Sequence, residues 1–416
     1  MRVWLITVGE PLPLPAARDR LLRTGLLADI LRHRGHDVLW WTSTADHYRK
    51  TRFVEGTPRV VAESGVKVQF LDGPLYQRNI SLARMRNHAV VSRQFARMAR
   101  VEPPPDVILC SFPTIELSRE AVAFGTAAGV PVVLDVRDLW PDIIVDVAPR
   151  WLRGTARLAL RSAFADTAAA FSRCDAVFAV SEAYLRWGLQ KGRRSASEHD
   201  KVYPLGYQLS PWSLADESAL DERLRSGGID PRGTLVSFVG TFGRTYDLDT
   251  VILAARTLAE RSASEAQFVI CGAGEREQEW RRAAAGVRGL AFCGWLPAGE
   301  LARLLTRSSI GLAAYAVDAP QGIPNKVIEF LAAGVPVLCS LPGESRQLLE
   351  SEGCGEYYRA GDGAALADQI EALLRNTEAR SAMAAAARSA FERRFSASTV
   401  YGEMADHLER LAARRT

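Results

Sequence analysis

No apolar run in this chain of 416 residues approaches the ~20 residues that a bilayer-spanning helix needs. The first strand-like run, MRVWLIT, is too short for a signal peptide and has no small-residue cleavage pattern, so a cytoplasmic protein is expected. The six cysteines, at 110, 174, 271, 293, 339 and 354, include no close pair with metal-ligand spacing, which points to buried thiols rather than disulfides or zinc. The six histidines form no obvious cluster for proton transfer. A net charge of +4 is too small to suggest a nucleic-acid partner. The first strand ends in Val8-Gly9-Glu10-Pro11 and the second in Trp40-Trp41-Thr42, so the Gly-x-Gly-x-x-Gly turn and the acidic strand end of a dinucleotide-binding fold are both missing, which counts against a dehydrogenase.

What is present is a regular alternation of apolar strand-like runs and helical patterns, the arrangement of parallel sheets covered on both faces. The length suggests two α/β domains of about 200 residues each. In the first half, strands are expected at Arg2–Thr7, His36–Thr42, Val66–Leu71, Asp106–Cys110, Pro131–Val136, Ala176–Val180 and Lys201–Leu205, with a first helix over Arg18–Arg34. The polar stretch Gln208–Gly233 separates this half from a second that restarts the pattern at Leu235. Between Asn79 and Arg100 five arginines accompany seven apolar residues, which reads as a solvated helix face, with a membrane-surface helix as the other reading.

The richest stretch is Asp318–Ser340, DAPQGIPNKVIEFLAAGVPVLCS, a loop, a helix and a strand. Proline and glycine keep the part before Asn325 irregular. The helix that follows offers its N-terminal amides to a phosphate or sugar oxygen, Lys326 adds a full positive charge, and Glu329 presents a carboxylate suited to a vicinal diol such as a ribose. Upstream, Gly240 and Gly243 let backbone approach a phosphate and Arg244 can make a forked contact with it. Gly272-x-Gly274 lacks a third glycine, and Gly294-Trp295 ends a strand where a planar base could rest. Asp247-Leu248-Asp249 has metal-clamp spacing but stands at a helix start, where capping is simpler, and Arg137 between Asp135 and Asp138 argues against a cation there. No metal site is expected.

PNKVIEFLAAGVPVL, together with FVGTFGR, FVICGAGE and FCGWLP in that order, resembles the donor-binding half of retaining GT-B glycosyltransferases of family 4. GEPLP, RLLRTGLL, WWTST and RDLWPD in the first half are similar to bacterial surface-polysaccharide transferases of amino sugars. The resemblance implies two Rossmann-like domains facing each other across a cleft, an acceptor domain over 1–207 and a donor domain over 208–392, with the helix at 393–416 crossing back to the first. It implies a UDP-sugar donor, an N-acetylhexosamine as the sugar, a hydroxyl acceptor that is a lipid-linked glycan intermediate or a natural product, retention of configuration, and no cofactor or metal. A lipid-linked acceptor leaves open a peripheral contact with the inner face of the membrane.

By the same resemblance Arg244 and Lys326 stabilise the leaving diphosphate, with Gly240, Gly243, Gly272, Gly294, Trp295, Pro324 and Asn325 around the donor. Glu329 binds the ribose, and Gln321, Gly322 and Ile323 face the donor sugar. Gly9, Glu10, Arg137 and Asp138 line the acceptor side, with Asp138 orienting the acceptor. The family usually has two glutamates with seven residues between them. Glu329 matches the second, and Gln321 stands where the first would be, with no lysine shortly after Arg244. A catalytically inactive nucleotide-sugar-binding subunit is the alternative that Gln321 favours. A nucleotide-sugar 2-epimerase would want a histidine or acid cluster, and a sugar phosphorylase a pyridoxal lysine that no segment resembles.

Overall fold

The computed structural model describes residues 1–14, 20–78, 81–261, 265–319 and 322–414. Along the chain these residues form β1 (Arg2–Ile6), α1 (Arg23–His33), β2 (Asp37–Ser43), β3 (Arg59–Val61), β4 (Lys67–Leu71), α2 (Leu82–Met98), β5 (Val107–Phe112), α3 (Ile115–Ala128) and β6 (Val132–Val136). Then come α4 (Asp142–Val147), a 3-10 turn (Arg150–Leu152), α5 (Arg153–Ala159), α6 (Arg161–Arg173), β7 (Ala176–Ala179), α7 (Glu182–Gly192) and β8 (Lys201–Val202). The second half contains α8 (Leu214–Ser226), β9 (Thr234–Val239), α9 (Leu248–Glu260), β10 (Ala266–Cys271), α10 (Glu277–Ala283), β11 (Leu290–Gly294), α11 (Ala298–Arg307) and β12 (Ser308–Ala313). It continues with α12 (Asn325–Ala332), β13 (Val337–Cys339), α13 (Glu344–Glu352), β14 (Gly355–Tyr357), α14 (Gly363–Arg375) and α15 (Thr377–Arg394), and α16 (Ala397–Ala413) follows.

Two compact units result, one of Met1–Gly206 with Ala397–Thr416, the other of Tyr207–Ser396. The first holds a sheet in the order β3-β4-β2-β1-β5-β6-β7-β8, parallel except for β3 against β4. Its inner strands, among them β2, β5 and β6, are buried along nearly their whole length because helices cover both faces. Val400, Tyr401, Met404, Leu408 and Leu411 of α16 join Leu27 and Leu31 of α1 and Val3, Leu5 and Trp40 of the sheet in one apolar core. The second unit has the order β11-β10-β9-β12-β13-β14, all parallel. In sequence order that is 3-2-1-4-5-6, which reverses between β9 and β12 and opens a crevice beyond their carboxyl ends.

Several local expectations change. Helix α1 begins at Arg23 rather than Arg18, because Glu10 accepts the Thr24 amide at 3.0 Å and so caps the helix at that turn; Arg18 itself lies outside the described residues. The strand expected to Leu205 stops at Val202, shortly before Pro204, which has no amide to donate. The polar stretch Gln208–Gly233 is not a linker but part of the second unit: Ser213 and Asp216 form a capping box that starts α8, and Leu220 and Leu224 bury its inner face. The final crossing falls after Ser396, where Tyr207 donates its amide to the Phe395 carbonyl at 2.8 Å, so the outgoing and returning chains run side by side.

Candidate active site

In the second unit, loops at the carboxyl ends of three strands build a pocket of about 130 Å³. Gly240 and Thr241 follow β9, Gly272 follows β10, and Trp295 and Leu296 follow β11; Tyr246, Leu301 and Lys326 complete the wall. The floor is two loops laid against each other. The Gly240 amide donates to the Cys271 carbonyl at 3.0 Å, Phe242 to Ala273 at 2.9 Å and Arg276 back to Phe242 at 3.0 Å. A Cβ on Gly272 would sit 1.8 Å from the Gly240 carbonyl oxygen, and one on Gly274 would sit 2.6 Å from that of Phe242. These glycines are therefore required by backbone against backbone. Phe242 drops into the core against Trp280, Phe238 and Phe292, which fixes the turn from below.

Helix α12 starts at Asn325 with Pro324 as its cap, and that cap supplies no side-chain hydrogen bond. Lys326 donates to Glu329 Oε2 at 3.0 Å one turn on, and Glu329 is buried with Val327, Ile328, Phe330 and Leu331. Gly322 is locked to the start of α13: Ser345 donates its hydroxyl to the Gly322 carbonyl, and a Cβ there would meet Glu344. Ile323 is half-buried beside it, while Gln321 lies outside the described residues. Trp295 leaves 70% of its surface exposed over the pocket, an unusual state for a tryptophan. Gly243 is open on the side where a Cβ would project.

Arg244 does not line this pocket. Its side chain is 90% exposed and stands 3.4 Å from Glu275 on the neighbouring loop. Gly294 takes a positive φ of 69° at the strand end and lines a separate surface depression with Arg223 and Arg281. Asp247 caps α9 through Thr250 and also accepts the Gly361 amide, and Asp249 is held by Arg276 and the Trp280 indole, so both carboxylates serve packing. Among the described residues no group of three or more His, Cys, Asp or Glu could hold a metal ion. Thr241, Tyr246, Leu296 and Leu301 were not singled out from the sequence; their only signal was adjacency to the glycine turns.

In the first unit, Glu10 and Arg137 turn inward. Arg137 contacts Glu10, donates to Asp135 at 2.8 Å and to the Thr24 hydroxyl at 3.0 Å. Asp135 is also clasped by Arg23 through two bonds of 2.8 Å, and Arg23 reaches the Tyr203 and Pro204 carbonyls at 2.9 and 3.0 Å. Burial pushes the Arg137 guanidinium down to about 10, yet between two carboxylates it remains charged at neutral pH. This network ties α1, β6 and the chain after β8 together. Glu10 and Arg137 act there as structural groups, which the alternation of strands and helices could not reveal.

Gly9 and Asp138 sit differently. A Cβ on Gly9 would touch His47 at 3.4 Å. Asp138 accepts the Leu139 amide at 2.8 Å and its charge acts on Arg84 and Tyr184. Arg84 lies 4.8 Å above the Trp140 ring and donates to His88 at 3.3 Å, and His47 bonds the Tyr76 hydroxyl at 2.8 Å. Burial, reinforced by Arg84, pushes His47 down to about 4 and His88 to about 3, so both are neutral at pH 7. His47 and His88 thus lie near enough for the charge of one to act on the other, a pairing that their separation in sequence does not show. Loops after β1, β2, β4 and β6, with the start of α2, bring these groups to the carboxyl end of the sheet, where open α/β sheets place ligands.

Comparison with known proteins gives this geometry a family. Residues 22–199 match the glycosyl transferase 4-like domain, and residues 221–390 match glycosyl transferases group 1. A phosphatidyl-myo-inositol mannosyltransferase of Mycobacterium leprae is 29% identical over 215 residues, 52% of this chain and 54% of that protein, so the match spans about half the length of each. HepE of Anabaena, solved with UDP, superposes with a TM-score of 0.66 at 18% identity, over 99% of this chain and 100% of that one. Sucrose-phosphate synthase of Thermosynechococcus elongatus gives 0.66 at 16%, over 99% of each. The chain therefore carries a glycosyl transferase 4-like domain in its first half and a glycosyl transferases group 1 domain in its second.

Proposed function

We propose that the protein transfers a sugar from a UDP-sugar to an acceptor hydroxyl with retention of configuration and without a metal. The observation that carries this reading is the Lys326–Glu329 pair on the first turn of α12, next to a pocket edged by Gly240, Gly272 and Trp295. A leaving diphosphate develops negative charge on its β-phosphate, and a lysine with the amides of a helix start is the arrangement that stabilises it. Arg244 adds to this by exchanging Glu275 for phosphate, since an exposed ion pair holds little energy. Glu329 takes the ribose hydroxyls, Trp295 the base, and the segment 321–323 the sugar. Asp138 orients the acceptor hydroxyl.

UDP is favoured because HepE of Anabaena was solved with UDP and with UDP-glucose. An N-acetylhexosamine is favoured by the likeness of RDLWPD and GEPLP to amino-sugar transferases. For the acceptor, the Mycobacterium relative is named for a lipid, which favours a lipid-linked glycan intermediate over a soluble natural product.

The test is a thermal-shift panel of UDP, GDP, ADP and dTDP on the wild type and on Glu329→Ala, followed by assay of UDP release from UDP-sugars with acceptor. At about 100 times its dissociation constant a ligand adds roughly 2.7 kcal/mol. Stabilisation by UDP that the variant loses supports the reading, and stabilisation by another diphosphate changes the donor. Binding without turnover on any acceptor would favour the inactive subunit that Gln321 suggests.

A further inference from the structure

The surface that follows Asp138 along the chain is unlike the rest of the first unit. Between Val147 and Ala165 there is no aspartate or glutamate, while Arg150, Arg153, Arg157 and Arg161 all fall there. The 3-10 turn and α5 bury none of their residues. Instead Val147, Trp151 and Leu158 are 69%, 80% and 67% exposed. The segment is nonetheless firmly seated at its start: Asp142 accepts from Lys191 at 2.6 Å and from the Trp187 indole at 3.0 Å, and Val145 is buried.

Trp151 and Leu158 are seven residues apart, about two helical turns, and so share a face, while the arginines recur at intervals of three and four on the flank beside it. None of the four arginines forms an ion pair among the described residues. Arg153 bonds the Asp146 and Ala148 carbonyls and Arg157 lies 4.9 Å over the Phe164 ring. An apolar stripe carrying a tryptophan and bordered by cations with no acid among them matches the layering of a bilayer surface, where indole sits at the headgroup level and arginine meets lipid phosphate. A protein partner would call for hydrogen-bonding groups of both signs at its rim. No helix among the described residues is long and apolar enough to cross a membrane, so the mode is one of lying on the surface.

We infer that residues 147–161 form a docking surface for an anionic lipid bilayer, with Trp151 and Leu158 inserted at the interface and the four arginines on the headgroups. The inference stands on this surface alone, and it draws on the proposed transfer only in that α4 begins four residues after Asp138, so docking would bring the acceptor end of the sheet to a lipid-linked substrate.

The experiment is co-sedimentation of the full chain with vesicles of phosphatidylcholine and with vesicles containing one third phosphatidylglycerol. Each arginine near a charged surface is worth about a fivefold factor in partitioning, so the anionic vesicles should bind well over tenfold more protein, with the difference shrinking in high salt. The double variant Trp151→Ala/Leu158→Ser should lose binding at least tenfold, and Arg150→Glu/Arg157→Glu should lose the preference for anionic lipid. Equal binding to both vesicles, or variants that bind as the wild type does, would overturn the inference. Failure to sediment together with a concentration-dependent dimer that the double variant abolishes would reassign the surface to a second copy of this chain. The UDP thermal shift, read on the same variants, should be unchanged, so failure of the nucleotide reading and failure of the membrane reading are separable.

Discussion

Lys326 and Glu329 stand 3.0 Å apart on one turn of α12, the lysine half-exposed and the carboxylate buried. The lysine therefore steers the carboxylate as well as carrying charge of its own.

Removing the carboxylate should act on binding. Hydrogen bonds to charged groups contribute about 1.5–3 kcal/mol each, so Glu329→Ala should weaken UDP by roughly ten- to hundredfold. Glu329→Gln should fall between, and titration calorimetry with UDP would check the order.

Removing the lysine should act on the chemical step. Loss of one preorganised charge at a developing anion costs about 10² to 10³ in kcat, so Lys326→Ala should lower kcat by that factor while KM for the donor moves less. Steady-state kinetics on a UDP-sugar would show a different split from that of Glu329→Ala.

Two glycines of the donor loops should behave oppositely. At Gly272, with φ of 142° and a Cβ 1.8 Å from the Gly240 oxygen, alanine would pry the two loops apart and destabilise the second unit by at least about 1–3 kcal/mol. At Gly243 a Cβ meets nothing, so Gly243→Ala should leave the melting temperature within a degree or two and show its effect in donor affinity alone.

The Asp135 carboxylate is fully buried between Arg23 and Arg137. Arg23→Ala would leave it half-compensated and should cost about 3–5 kcal/mol in urea unfolding, far more than loss of the exposed Arg244–Glu275 pair.

Acid should loosen the first unit through His88. Its folded value lies near 3 against an ordinary 6.5, so the unfolded chain takes up the proton first as pH falls. The stability held by the neutral ring is full above pH 6.5 and is lost progressively towards pH 3, by about 2 kcal/mol at pH 5. His88→Gln keeps an acceptor for Arg84 and should flatten the pH dependence of urea unfolding by one proton; an unchanged slope would show that the ring does not titrate in this way.

Parts of this molecule that rest on local pattern could be read from the sequence. The strands and the Asn325 helix follow from periodicity and from punctuation by glycine and proline, and the order of the donor motifs from the family resemblance. Relationships across long separations could not. Arg23 meets Asp135 over 112 residues, and His47 approaches His88 only because α2 returns beside the loop after β2. The resemblance put Glu10 on the acceptor side, yet its carboxylate is spent on the start of α1. Arg244 looked like a phosphate ligand by position, and its partner Glu275, which lies on the next loop, was not predictable from spacing.

The membership of α16 in the first unit has a consequence for synthesis. The residues that line its core from Val400 to Leu411 are made after the whole of the second unit, so the part of the protein that emerges first from the ribosome is the last to be finished. Until then the apolar faces of α1, β1 and β2 stand open, and the second unit, whose own chain is continuous, can fold while the first waits. A nonsense change near residue 397 would therefore spare the nucleotide half and ruin the half that is already made.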